Sequence, residues 1–326
     1  MKKKIRLALI YKKSYNYFDP NHFDRTTYDF FMVALQRNPR LEISYYSADY
    51  SFDTEKLKGK TDVILLTNNR TDGTPDELRN IHTLELPVIS RTGDPHHAKK
   101  FNQEKFHDEW KIDYYFGAIP KNYFYKFYPK NFKFKEIIFG LESQKYENLK
   151  PFEDRIKNKI LNSGVVGKNT IKSRVANAIL NPKRSGWYFY KLRTMCNELE
   201  FVDHKGMRGK QHVFKDYPTY LSQYQAAIAA TTFYPTQKYW EIPAAGCLTF
   251  MEITEKNNGK FLGFRDGINS IFINEDNYKI KFQEYLHDSD NSKWSEIAEA
   301  GRNYVIENLT NDHAINSLLE IIDELI

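Results

Sequence analysis

The chain has 326 residues, enough for two domains of ordinary size, and 41% of them are hydrophobic and 15% aromatic, which excludes a chain too poor in apolar residues to fold. Lys and Arg outnumber Asp and Glu by 48 to 42, a formal net charge of +6 spread along the chain without a dense basic tail. That balance suits an anionic ligand without requiring nucleic acid, and a solvated lysine-rich surface accounts for most of these lysines.

The N-terminal MKKKIRLALIY has a basic start, but its apolar run is short and broken by Arg6, so it reads as lysines before a buried strand at 5–11 rather than a signal peptide or membrane span. TTYDFFMVALQRN (26–38) places Tyr28, Phe31 and Leu35 on one helical face, with Thr26 or Thr27 able to cap it. EISYYSA (42–48) and DVILLT (62–67) are expected strands, and TPDELRNIHTL (74–84) is expected to be a helix with Pro75 in its first turn. PVISR (87–91), DYYFGA (113–118) and EIIFG (136–140) are short apolar runs bounded by Gly, Pro and Asp.

The polar stretch 141–158 reads as an interdomain connection, after which the alternation restarts. A strand running into a glycine turn at 159–167 precedes a helix at 170–180; a strand at 198–203, a helix at 216–225 opened by Asp216, and a small-residue strand at 226–233 follow. Cys247 to Phe250 and 269–274 read as strands. Two helices close the chain, one carrying Ile297, Ala298, Gly301, Tyr304 and Val305, the last amphipathic through Ile315, Leu318, Leu319, Ile322 and Leu325. Strands alternating with helices predict mostly parallel sheets covered on both faces, in two similar α/β halves, with ligands beyond the carboxyl ends of the strands. No repeat, heptad or low-complexity tract is present.

Cys196 and Cys247 lie far apart in apolar contexts, which offers no CxxC pair, disulfide framework or metal-ligand spacing and fits a reducing, cytoplasmic compartment. SGVVGKNTIKSR (163–174) is not a Walker A loop, because the glycine spacing is too short and Asn169 stands where Ser or Thr is required; no G-x-G-x-x-G occurs elsewhere. What remains is a glycine turn at Gly164 leading into a helix, with Lys168 and Arg174 nearby. Backbone N–H groups and cations there suit a phosphate, although an ordinary turn with two surface cations has the same pattern. In KYWEIPAAGCLTF (238–250), Lys238 and Glu241 fall within one helical turn, and Ala244, Ala245 and Gly246 permit close approach of a ligand or a backbone. A cation at a helix N-terminus is unfavourable unless an anion sits between them, and a carboxylate can accept two hydroxyl hydrogen bonds, as from a ribose. An ion pair on a helix before a buried strand fits the spacing equally.

KYWEIPAAGCLTF resembles the K-x-x-E-x-x-A-x-G-x-hydrophobic signature of glycosyltransferases with two Rossmann domains, the GT-B architecture, and is most similar to the group 1 transferases that include spore-maturation-type proteins. Residues 262–310 are similar to the closing region of that family, where a short helix precedes an "ia-x-x-g-r" helix. EIIFGLESQKYENL (136–149) resembles its interdomain passage, and KILNSGVVG the strand opening its nucleotide domain. The resemblance covers most of residues 136–310 and is only architectural over 1–135. It implies two facing Rossmann-like domains: an acceptor domain at 1–145, a nucleotide-sugar domain at 146–310, and a helix at 311–326 crossing back to the first domain. It further implies that Glu241 binds the nucleotide ribose and Lys238 faces the diphosphate, with Gly164, Lys168, Arg174 and Gly246 completing the donor site. Many retaining relatives carry a second glutamate eight residues before the ribose glutamate; here that position is Phe233, so the stereochemical outcome stays open.

The acceptor hydroxyl needs a general base, and SRTGDPHH (90–97) places Asp94, His96 and His97 in a loop after a predicted strand. Asp94 and His96 are the catalytic candidates, although Gly-Asp-Pro is also an ordinary turn signal; Asp19 and His22 come second. The histidines lack metal-ligand spacing. The expectation is therefore a metal-independent cytoplasmic glycosyltransferase that needs no cofactor, with a nucleotide-diphosphate sugar as donor substrate, a glycan or other hydroxyl as acceptor and no membrane span. The rival readings are a sugar-nucleotide epimerase of the same architecture and a non-catalytic glycan- or nucleic-acid-binding protein.

Overall fold

The computed structural model describes residues 4–14, 32–167, 170–180, 186–205 and 217–326. Asp19, His22, Lys168, Asp216 and the first residues of the helix expected at 26–38 lie outside them. The chain forms two compact units, Met1–Glu142 with Thr310–Ile326, and Ser143–Leu309.

In the first unit β1 (Ile5–Tyr11) is followed by α1 (Met32–Arg37), β2 (Leu41–Ser47), β3 (Ser51–Asp53), β4 (Val63–Leu66), β5 (Glu77–Arg79), β6 (Val88–Arg91), α2 (Phe106–Glu109), β7 (Tyr114–Gly117), α3 (Lys121–Phe124) and β8 (Phe134–Glu136). Six strands make a parallel sheet in the order β2-β1-β4-β6-β7-β8, with Leu7 beside Ile43 and Val63 in register. β4 is wholly buried, as a central strand covered on both faces should be.

Residues 74–84 do not form the expected helix. β5 pairs in parallel with β3, Glu77 and Arg79 facing out and Leu78 in, and Asn80 turns through φ 62° into a single 3-10 turn. Thr54 Oγ1 donates to the Arg79 carbonyl at 2.7 Å, so pairing outweighs local helix preference. Similarly, the strand expected at 136–140 lies at Phe134–Glu136, and the one expected at 198–203 begins only at Val202.

The second unit contains β9 (Ile156–Ser163), α4 (Ile171–Leu180), α5 (Gly186–Phe189), α6 (Lys191–Cys196), β10 (Val202–Lys205), α7 (Tyr217–Leu221), β11 (Tyr224–Ala229), α8 (Lys238–Ala244), β12 (Leu248–Glu252), β13 (Ile271–Ile273), α9 (Tyr278–His287) and α10 (Ser292–Asn308). Its sheet is again parallel, in the order β10-β9-β11-β12-β13. Thr170 Oγ1 accepts from the Ser173 N–H at 3.3 Å and caps α4. The helix expected at 216–225 is shorter because Tyr224 already belongs to β11. The sequence pattern does not predict α5 or α6, both short, while α9 stands where the resemblance places a short helix before α10.

The last helix, α11 (Asn311–Leu325), belongs to the first unit. Ile315, Leu318, Leu319 and Ile322 pack into one core with Leu7, Leu9, Leu35, Val63 and Leu65. Where the chain leaves at Glu142 and returns at Thr310, the two passages are tied together. Asn311 donates its backbone N–H to the Leu141 carbonyl at 2.9 Å and its side-chain amide to Glu142 Oε1 at 2.6 Å, while its Oδ1 accepts from the Gly140 N–H at 2.7 Å. Arg37 bridges Glu142 and Asp312 from α1. Replacing Asn311 leaves a buried N–H and a buried carboxylate oxygen without this partner, and each costs about 1–3 kcal/mol. Asn311→Ala is expected to lower stability by about 2–4 kcal/mol in chemical denaturation; a change below about 0.5 kcal/mol would contradict the clasp.

Candidate functional site

In the second unit, β9 is flanked by β10 on one side and β11 on the other. This is the switch point of a doubly wound sheet, and in such sheets ligands bind beyond the carboxyl ends of the strands there. β9 ends there in Asn162 and Ser163, and Gly164 follows. Gly164 adopts φ +94°, and a β-carbon on it would lie 3.0 Å from Lys238 Cε, 3.1 Å from Lys238 Nζ and 3.1 Å from Arg193 Nη2. Glycine is required there on both counts: the left-handed backbone and the two cations against it. His204 Nε2 lies 2.9 Å from the Gly164 carbonyl, and the Gly167 N–H donates to Thr194 Oγ1 at 2.8 Å, which fixes both sides of the turn.

Lys238 opens α8 as the sequence suggests, and its ammonium turns back to the end of β9. It donates to Tyr217 OH at 3.0 Å and Ser163 Oγ at 3.2 Å, which are 2.9 Å from each other. Glu241, one turn on, is only 3% exposed, and its carboxylate makes no side-chain hydrogen bond to another described residue. Burial pulls the Lys238 ammonium well below the usual lysine range; the charge of Arg193 adds to this and that of Glu241 opposes it. Burial raises the Glu241 carboxyl above its ordinary value, against the pull of Lys238. The hydroxyls of Tyr217 and Tyr146 are pushed far up, first by burial and then by Glu241.

Arg193 was not a candidate on sequence grounds. It sits on α6, 1% exposed, with Nε donating to Asn162 Oδ1 at 3.0 Å and Nη2 to the Ser163 carbonyl, and it lies over the Tyr190 ring. Burial lowers its pKa, and no carboxylate pairs with it among the described residues. The available signal was an arginine flanked by Leu192, Met195 and Cys196, an apolar setting in which arginine is rarely placed without a function. Two desolvated cations thus converge on one glycine turn, with a single carboxylate nearby.

One candidate falls elsewhere. Gly246 lies at the far end of α8, before β12, where φ +70° turns the chain and Arg155 Nη1 donates to the Ala245 and Gly246 carbonyls at 2.9 and 2.8 Å. The structure does not bring it together with Lys238 and Gly164. What packs against it is side chain: a β-carbon on Gly246 would lie 3.2 Å from Arg155 Nη2 and 3.6 Å from Arg302 Cδ of α10. Arg174 lies on α4. Cys196 and Cys247 are buried free thiols, and burial raises that of Cys247 to about 11.

In the first unit, Asp94, His96 and His97 occupy the turn after β6, at the carboxyl end of its sheet. One ligand atom from each lies within 4.8 Å of the others, the one such grouping of His, Cys, Asp or Glu among the described residues. The loop is held from beneath: Asn69 Oδ1 accepts from the Gly93 N–H at 2.8 Å, and Asn69 Nδ2 donates to Tyr128 OH at 2.8 Å, whose hydroxyl donates to Gln103. Asp94 is exposed and the two imidazoles half-buried, their ring centroids 4.1 Å apart.

No protein-family description matches the chain, and no curated protein matches it. Solved structures do. A glycosyltransferase from Rickettsia africae aligns over 100% of this chain and 99% of its own with TM-score 0.56 and 12% identity. Sucrose-phosphate synthase from Thermosynechococcus elongatus aligns over 99% of both chains with TM-score 0.60 and 12% identity. Anabaena HepE, solved in complex with UDP and glucose, aligns over 98% of this chain and 100% of its own with TM-score 0.57 and 8% identity. The chain has the GT-B fold. Both Rossmann-like units and the returning helix α11 belong to that architecture, as the sequence implied. No described helix is long and apolar enough to cross a membrane.

Glu252, at the carboxyl end of β12, is a further buried acid that the sequence did not flag. Burial, and then the charge of Glu275, raise it to about 8. A carboxyl whose pKa is raised on folding favours the folded state below about pH 4.5 and loses that contribution as pH rises to about 8. Glu252→Gln is therefore expected to raise the melting temperature relative to wild type at pH 8 and to lose this advantage near pH 5. Parallel melting curves across that range would count against the shift.

Proposed function

We propose that this chain is a glycosyltransferase that moves a sugar from a nucleoside-diphosphate donor to an acceptor hydroxyl. The observation that carries the reading is the pair of desolvated cations, Lys238 and Arg193, against the Gly164 turn at the β9–β11 switch point. A diphosphate supplies the negative charge that this arrangement lacks, and Glu241, lacking a hydrogen-bond partner among the described residues, is suited to accept two ribose hydroxyls. HepE, which shares the fold, was solved with UDP and glucose and with UDP-glucose.

In this reading Gly164, Lys168, Arg174, Lys238 and Glu241 hold the donor, Arg193 joins them, and Gly246 shapes the end of α8 instead of touching ligand. The acceptor oxygen bonds to the anomeric carbon as the bond from that carbon to the diphosphate breaks. Lys238 and Arg193 offset the charge left on the diphosphate without an essential metal, a preorganised electrostatic effect. Asp94 or His96 takes the acceptor proton. The soluble, cytoplasmic setting belongs to the same proposal.

Glu241→Ala is expected to weaken UDP binding in calorimetry at least about 100-fold, because two charge-assisted hydrogen bonds are lost. Lys238→Met should do the same while leaving thermal stability unchanged or higher, since it removes a desolvated charge. Unaltered affinity for UDP, GDP and ADP in both variants would contradict the donor site. Release of an epimerised sugar nucleotide with no acceptor present would overturn transfer.

A further inference from the structure

Helix α4 carries an apolar stripe on its solvent side. Ile171, Val175 and Ile179 recur every four residues and are 78%, 52% and 74% exposed. They line one face over about 12 Å of helix, and Val165 in the preceding turn is also exposed. Single exposed aliphatic residues are ordinary on a protein surface, whereas three in a row on one helical face mark an interaction surface.

The sequence that contains this helix is one-sided in charge. No Asp or Glu occurs between Asp154 and Glu198, a stretch that holds ten of the 48 Lys and Arg, and the remainder of the chain is net negative. Of the ten, Arg155 and Arg193 are buried, while Lys157 pairs with Asp290 and Lys191 with Glu275. Lys172 stands exposed on α4 itself, and Lys183 and Arg184 belong to the same acid-free sequence.

We infer that α4 docks this protein onto an anionic lipid bilayer, lying in the plane of the surface with Ile171, Val175 and Ile179 inserted among the acyl chains. An exposed lysine beside an aliphatic stripe, in a stretch of sequence with no acidic residue, matches the two layers of such a surface, negative headgroups above and hydrocarbon below. A nucleic acid would be met by the cations alone and leaves the three aliphatic side chains in water, which makes the bilayer the better partner. The inference does not depend on the donor site.

Co-sedimentation of the full chain with phosphatidylcholine vesicles, with and without about 30% phosphatidylglycerol, tests it. Binding is expected only to the anionic vesicles, falling steeply between about 0.1 and 0.5 M salt. The triple variant Ile171→Ser, Val175→Ser, Ile179→Ser should partition about tenfold less with an unchanged thermal melt. Lys172→Glu, an exposed change that leaves the fold intact, should also weaken partitioning. Absence of wild-type binding to anionic vesicles, or equal binding by the triple variant, would overturn the inference. So would a dimer that the triple variant converts to monomer, or tighter binding to an oligonucleotide that the triple variant retains.

Discussion

The second unit is organised around a positive charge held out of water. Lys238 and Arg193 reach the Gly164 turn from different helices, and each loses hydration that the surrounding hydroxyls and carbonyls replace only in part. Their mutual repulsion is opposed by one carboxylate, Glu241, itself desolvated. Every local choice serves this placement. Glycine at 164 leaves room for both cations, Ser163 and Tyr217 orient the ammonium, and Asn162 holds the guanidinium. Desolvated charge of this kind costs the free protein stability and is characteristic of binding sites rather than of scaffolds, in keeping with the donor site proposed above.

The first unit contrasts with this. Its turn after β6 rests on neutral polar groups, Asn69, Tyr128 and Gln103, linked to one another and to the Gly93 N–H by hydrogen bonds. Asp94 and His96 above it remain accessible. Burial raises the Tyr128 hydroxyl far above its ordinary range, so the support stays neutral. Neutral hydrogen-bonded support in one unit and desolvated charge in the other are two different arrangements, built on the same parallel-sheet plan.

Much of that plan was legible in the sequence because buried parallel strands are continuous apolar runs bounded by turn residues, as with Ile5–Tyr11, Val63–Leu66 and Leu248–Glu252. Short edge elements were not. Glu77–Arg79 alternates as a strand does, but three residues carry too little pattern to outweigh a proline followed by good helix formers. The Lys238–Glu241 pairing was visible as spacing on one helix. Arg193 was not, since its importance comes from where α6 meets the end of β9, a relation between segments about 30 residues apart. Gly246 illustrates the converse: a glycine that permits close approach does not say what approaches, and here it is the guanidinium of Arg155 and the neighbouring helix.

The clasp at Asn311 bears on how the polypeptide is made. The core beneath β1 and β4 contains side chains from α11, which a ribosome delivers only after the whole of the second unit. Until then Leu7, Leu9 and Val63 lack part of their cover, while the second unit already possesses every strand of its own sheet. Maturation accordingly proceeds from the inside of the chain outward, and the portion translated first is the last to reach its final packing.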